Sequence, residues 1–91
     1  MLFRSLYKYL KRPEESSLNY LKSAQLFQEI NDTEWVGNVY LNLGGMWEEQ
    51  DSLELAKLYL NKSKKILIDL NHYNLINCYI NLGIVDRKSV V

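Results

Sequence analysis

The chain has 91 residues, of which 47% are hydrophobic and 24% are charged, so it forms one small globular domain at most. Eleven basic and eleven acidic residues cancel, which removes the electrostatic reason to expect nucleic-acid binding. No apolar run approaches the ~20 residues of a membrane span, and the single Cys78 excludes an internal disulfide. No signal peptide is recognisable, so a reduced, cytoplasmic setting is the expected one.

Apolar residues at helical spacing predict five helices and no strand. Pro13 separates the first two, because proline suits the first turn of a helix. Asn31 with Glu34, and Asp51 with Glu54, have the spacing of capping boxes at the starts of later helices. The predicted helices cover approximately residues 6–12, 14–30, 33–49, 52–69 and 73–85.

Both ends of the chain resemble translated sequencing-library adapters. The strings are Met-Leu-Phe-Arg-Ser at residues 1–5 and Asp-Arg-Lys-Ser-Val-Val at residues 86–91. We expect both ends to be non-native additions to a natural helical fragment that covers residues 6–85. The nucleotide sequence of the gene would test this hypothesis, since other codons at either end would remove it.

An internal repeat is the strongest pattern in the sequence. The string N-x-Y-x-N-L-G at residues 38–44 returns at residues 77–83, thirty-nine residues later. Residues 14–30 also match residues 54–70, with an offset of 40. A period of roughly 20–50 residues is typical of stacked repeat proteins. The order along the chain is half repeat, whole repeat, half repeat.

The repeat resembles a tetratricopeptide repeat, in which helix A carries aromatic, Leu-Gly and aromatic positions and helix B carries small, large and small ones. Its period is longer than the usual ~34 residues, and the helix-ending proline is absent. The resemblance implies an all-α fold of antiparallel helix hairpins, stacked as a right-handed α-solenoid. The motif residues are Tyr40, Leu43, Gly44, Trp47, Ala56, Leu60, Ser63, Tyr79, Leu82 and Gly83, with Ser16, Tyr20 and Ser23 in the first half repeat.

Gly44 and Gly83 are predicted to be packing positions, because a residue without a Cβ lets the neighbouring helix approach closely. Ala56 would supply the answering small site on that helix. A plain four-helix bundle is the alternative architecture, and its first and last helices would pack together.

Four asparagines are the candidate partner-binding residues: Asn38, Asn42, Asn77 and Asn81. Each pair is four residues apart and shares one helical face. The resemblance implies that helix A lines a concave groove, in which the Asn before Leu-Gly contacts a ligand backbone. We therefore predict an asparagine-lined, largely uncharged groove for a peptide or partner helix. The alternative is that these side chains only face solvent or bond between adjacent helices.

Other polar residues have structural interpretations. His72 is expected to be an exposed or capping residue, and Cys78 a small buried one. Acidic residues near the second turn, and lysines of the following helix, are expected to cap or solvate helices rather than bind a cation or an acidic partner. These sets are Glu48, Glu49, Asp51 and Glu54, and Lys62, Lys64 and Lys65.

The predicted function is a scaffold for protein–protein or protein–peptide interaction, with no catalysis, no cofactor, no metal, and no nucleic-acid or membrane partner. Longer repeats of this kind resemble those of bacterial signalling proteins, so the chain is expected to belong to a larger regulatory protein. The alternatives are a regulatory segment of a multidomain enzyme such as a sensor kinase, a peptide-pheromone-responsive regulator, or a nucleic-acid-binding helical repeat.

Overall fold

A computed structural model describes residues 13–90 of the chain, and that part is all-helical. This confirms the predicted all-α class. Its helices are α1 (Pro13–Glu29), α2 (Thr33–Glu49), α3 (Leu53–Asp69) and α4 (Leu75–Ser89). The first three lie within one residue of the predicted bounds, whereas α4 begins later than residue 73 and continues past residue 85. The predicted helix 6–12 and the end segment 1–5 lie outside the described residues.

The three turns between helices share one backbone motif. Asn31, Asp51 and Asn71 each adopt a positive φ of 50–60° and follow the last helical turn. In the first turn, Asn31 N–H donates to Gln28 O and Asp32 N–H donates to Phe27 O. The other two turns repeat both bonds at the equivalent positions. Asn and Asp tolerate this left-handed conformation better than most residues, so they end these helices where a glycine commonly would.

This motif corrects the two predicted capping boxes. Asn31 and Asp51 end the preceding helix instead of capping the next one. The N-cap of α2 is Asp32, whose side chain accepts from the backbone N–H of Trp35, and the N-cap of α3 is Ser52. A residue held in the left-handed region cannot have the β-region backbone that an N-cap needs.

Packing follows chain order. Each helix packs against the next, and α2 also contacts α4, whereas α1 and α4 are not among the helix pairs that pack extensively within residues 13–90. The core is densest between α2 and α3. Its buried hydrophobic residues include Leu41, Leu43, Met46, Trp47, Ala56, Leu60, Leu67, Cys78 and Val85.

Gly44 makes the close approach that the sequence predicts. A Cβ placed on Gly44 would lie 2.6 Å from Leu60 Cγ and 3.2 Å from the Leu60 backbone nitrogen. Gly37, two helical turns before Gly44, lies against Ile66 and Leu67. The Gly37 carbonyl accepts a 2.8 Å hydrogen bond from the buried Ser63 hydroxyl. Two glycines on α2 therefore set how closely α3 packs.

Gly83 does not make the contact predicted for it. A Cβ at Gly83 would meet no atom within 4 Å, so this glycine faces open space. Gly44 is covered by the helix that follows it in the same hairpin, and no helix follows α4 within the described residues.

No described helix is long and apolar enough to cross a membrane.

Candidate functional site

A groove of about 580 Å³ lies along α2 and α4, with Tyr20 of α1 contributing to its wall. Contacts at both ends show that the two helices lie side by side and parallel. Near their starts, His72 bonds Glu34; near their ends, the Lys88 ammonium bonds the Glu48 carboxylate at 2.6 Å. A repeat offset of 39 thus brings equivalent positions of the two helices next to each other.

All four predicted asparagines line this groove. Asn38 and Asn42 come from α2, and Asn77 and Asn81 come from α4. The spacing of four residues puts each pair on one helical face, and the parallel packing of α2 and α4 turns both faces toward the same space. The structure therefore brings together the complete set that the repeat indicated.

Asn38 and Asn77 are joined through a residue that the sequence did not single out. The Asn74 amide nitrogen donates to Asn38 Oδ1 at 2.8 Å, and Asn74 Oδ1 accepts from the Asn77 amide at 3.1 Å. Asn38 thus makes the bond between adjacent helices that was the alternative interpretation, whereas Asn77 bonds Asn74 at the start of its own helix. The observable sequence signal for Asn74 was its spacing of three residues from both Asn71 and Asn77.

Asn42 and Asn81 make no side-chain hydrogen bond within residues 13–90. They lie further along the same two helices, where the groove continues toward the ends of α2 and α4. An amide side chain carries two donor hydrogens and an acceptor oxygen. These two groups are consequently free to bond a molecule that enters the groove.

His72 immediately precedes the groove-lining residues Tyr73 and Asn74. Its Nδ1 accepts from the Asn74 backbone N–H at 3.0 Å, so the ring proton is assigned to Nε2, which donates to Glu34 Oε1 at 2.9 Å. His72 accepts from a backbone N–H just before α4, but the N-cap of that helix is Asn74. The His72 side chain is only 9% exposed, so the expectation of an exposed residue is wrong, and the ring ties the start of α4 to α2. Glu34, predicted to complete a capping box, is instead the partner of this histidine.

Aromatic and apolar side chains complete the lining. Trp35 is 52% exposed and Tyr73 is 77% exposed, whereas Leu41 and Met46 form a buried floor. Trp35 fits the helical period of the apolar residues of α2, a pattern that predicts a core position. The period is correct, but Trp35 lies on the groove side, stacked on Phe27 with ring centroids 5.7 Å apart.

Glu49 is the only charged residue among the described residues that line the groove. Its neighbour Glu48 is paired with Lys88, which also bonds Asp51 at 3.2 Å. The hydrogen bonds that the Lys88 ammonium donates to Glu48 and Asp51 raise the pKa of Lys88. These contacts agree with the structural interpretation of Glu48 and Asp51, while Glu49 makes no ion pair within residues 13–90.

The remaining candidate residues lie away from the groove. Cys78 is fully buried and its thiol donates to the Leu60 carbonyl at 3.1 Å; burial raises the pKa of this thiol. Lys62 lies over the stacked rings of Tyr40 and Tyr59, so it contributes a cation–π contact. Within the described part of the chain, no group of three or more His, Cys, Asp or Glu side chains is arranged to hold a metal ion.

Comparison with known proteins adds no relative. No protein-family model, no curated protein and no solved structure matches this chain.

Proposed function

We propose that this chain is a helical-repeat scaffold whose groove along α2 and α4 binds an extended segment of a partner protein or a peptide. The most direct support comes from the side-chain amides of Asn42 and Asn81. They line one groove from two neighbouring helices and make no hydrogen bond within residues 13–90. Each amide can donate and accept at once, as a peptide backbone does. Two such groups could hold an extended backbone without requiring a particular side chain.

The lining as a whole favours a peptide over a small polar metabolite. The exposed rings of Trp35 and Tyr73 supply aromatic contact area along the groove, above the buried floor formed by Leu41 and Met46. Tyr and Trp are also the residue types most enriched at the centres of protein interfaces. Lys and Arg are missing from the described lining, so a terminal carboxylate or phosphate would find no cationic partner there.

A stacked tetratricopeptide-like arrangement is part of this proposal. It is supported by packing that runs from each helix to the next, by the parallel pairing of α2 with α4, and by the lack of extensive packing between α1 and α4. A closed bundle would instead join its first and last helices. The right-handed sense of the stack follows from the family resemblance alone.

A role in bacterial signalling, and the absence of catalysis, belong to the proposal through the same resemblance. The thiol of Cys78 is buried outside the groove, so it does not face a ligand held there. The alternative of a regulatory segment in a multidomain enzyme uses the same surface, so a partner-binding test addresses both.

The test combines Asn42→Ala with Asn81→Ala and measures binding to a displayed library of random heptapeptides. We expect the wild-type chain to enrich specific peptides, and the double variant to bind them about tenfold more weakly, since two hydrogen bonds are lost at a net ~0.5–1.5 kcal/mol each. The melting temperature should stay nearly unchanged, because neither amide has a partner within residues 13–90.

The matched control replaces two exposed asparagines outside the groove, Asn19→Ala with Asn61→Ala. This variant has the same change in composition and should bind as the wild type does. Equal weakening in both double variants would contradict the assignment of the groove. Loss of folding in the Asn42 and Asn81 variant would assign these side chains to structure.

A further inference from the structure

The groove has two chemically different ends. At the starts of α2 and α4, Trp35 and Tyr73 are exposed, and the asparagines of that end are already bonded to each other through Asn74. The amides of Asn42 and Asn81, which make no hydrogen bond within residues 13–90, lie midway along α2 and α4, and the carboxylate of Glu49 lies at the other end. One end can therefore receive an apolar group, the middle offers hydrogen bonds, and the other end carries one negative charge.

The charge at Glu49 is uncompensated by its surroundings. The cations near this end of α2 are occupied, since Lys88 bonds both Glu48 and Asp51, and Lys57 lies 3.9 Å from Asp86. Glu49 itself is exposed and has no ion pair within the described residues. A ligand that places a cation beside Glu49 would gain an attraction without breaking an existing pair.

We infer that the groove takes an extended peptide segment with an apolar or aromatic side chain at the Trp35–Tyr73 end and a lysine or arginine at the Glu49 end. This inference rests on the proposed function and names the ligand class of the same site. Charge complementarity at Glu49 and the aromatic pair at the opposite end are the two observations that define the segment.

The length of the segment follows from helix geometry. Trp35 and Glu49 are fourteen residues apart on α2, which corresponds to about 21 Å at ~1.5 Å per residue. An extended chain advances ~3.3 Å per residue. The two anchoring side chains should therefore be about six residues apart in the ligand, with the intervening backbone beside Asn42 and Asn81.

The experiment uses the whole 91-residue chain and a set of blocked heptapeptides as probes. Each peptide is acetylated and amidated, carries leucine at one end, alanine and serine in the middle, and arginine, glutamine or glutamate at the other end, in both chain directions. Binding is followed through Trp35 emission, because Trp35 is half exposed in the groove while Trp47 is only 8% exposed. The variant Trp35→Phe should remove the signal.

We expect the arginine peptides to bind about two- to fivefold more tightly than the glutamine peptides, the range typical of an exposed ion pair. The preference should approach unity at about 0.5 M salt, because the pair is open to screening. Glu49→Gln should abolish the preference, and Glu49→Lys should transfer it to the glutamate peptides. The control Glu54→Gln removes an equal charge from the exposed start of α3, outside the groove lining, and should leave the preference unchanged.

Several outcomes would overturn the inference. Equal binding of arginine and glutamine peptides, with no response to Glu49→Gln, would remove the charged anchor while leaving peptide binding in the groove intact. A similar loss of preference in Glu54→Gln would mean that net charge, and not Glu49, selects the ligand. Absence of binding by every probe, together with no enrichment from the heptapeptide library, would reject both the ligand class and the proposed function.

Discussion

The two copies of the repeated string have almost the same residues but different surroundings. In the first copy, Leu43 is fully buried, Gly44 lies against Leu60, and Tyr40 stacks on Tyr59 with ring centroids 6.0 Å apart. In the second copy, Tyr79 is 52% exposed and Gly83 faces open space. The difference arises because α3 covers the first copy, while the equivalent side of α4 has no helix over it within residues 13–90.

The repeated motif therefore permits close helix packing, and the close contact forms only where a neighbouring helix covers the motif. A glycine in a helix costs up to ~1 kcal/mol relative to alanine. At Gly44 that cost accompanies a close helix contact. At Gly83 it accompanies no contact in the described residues, so the two glycines should respond differently to the same substitution.

The largest contrast is expected from the equivalent leucines of the two copies, Leu43 and Leu82. Leu43→Ala should lower the free energy of unfolding by about 2–5 kcal/mol, the range for a fully buried leucine. Leu82→Ala should cost less, because Leu82 is only partly buried against the core. Urea unfolding followed by circular dichroism measures both, and equal losses would show that the second copy is packed as well as the first.

The same substitution at the two glycines is expected to change stability in opposite directions. Gly44→Ala should destabilise the chain by about 1–3 kcal/mol through overpacking against Leu60, with the helix-propensity gain offsetting part of it. Gly83→Ala should be stabilising by up to ~1 kcal/mol, since only the propensity gain acts there. The propensity terms are the same in both variants, so their difference in unfolding free energy isolates the close contact. A Gly44→Ala variant as stable as Gly83→Ala would contradict the observed approach of α3.

The smallest expected effect comes from a position at which the two copies agree. Cys78 is equivalent to Val39 in the repeat, and both are buried. Cys78→Val should therefore change stability at neutral pH by less than ~1.5 kcal/mol, as volume-conserving core substitutions do.

The pH dependence tests the same thiol. Burial raises the pKa of Cys78 above its ordinary value of 9.0, so the folded state holds this proton more tightly than the unfolded state does. The thiol's contribution to stability is thus fully present below pH 9.0 and is lost as the pH rises through the folded-state pKa. Comparing wild type with Cys78→Val cancels the other alkaline titrations. If the stability of wild type and of Cys78→Val falls equally as the pH rises, the thiol is accessible to solvent.

The sequence located the helices and the groove asparagines through two periodicities. The helical period of 3.6 placed Asn38 with Asn42, and Asn77 with Asn81, on single faces. The repeat offset of 39 then implied that the two faces are equivalent, and the structure brings both to one groove. Local and repeated spacing can be read without coordinates, because both are properties of residue order.

The predicted N-capping roles of Asn31 and Asp51 are wrong because Asn and Asp suit two different positions in a turn between helices. Asn and Asp are favoured both as helix N-caps and in the left-handed conformation that ends a helix. At Asn31 and Asp51 the second use is the observed one. Residue type alone does not separate the two uses, so the backbone path between the packed helices selects between them.

The sequence by itself determined that residues 13–90 are helical, that α2 and α4 carry equivalent motifs, and that their asparagines share faces. Only the tertiary structure decided which amides bond each other through Asn74, that Trp35 faces the groove, that His72 ties α4 to Glu34, and that Gly44 is covered while Gly83 is open. Helical spacing is fixed within one segment of chain. Contacts between side chains 36 or 38 residues apart depend on how the helices pack, and near-identical motifs leave that packing undetermined.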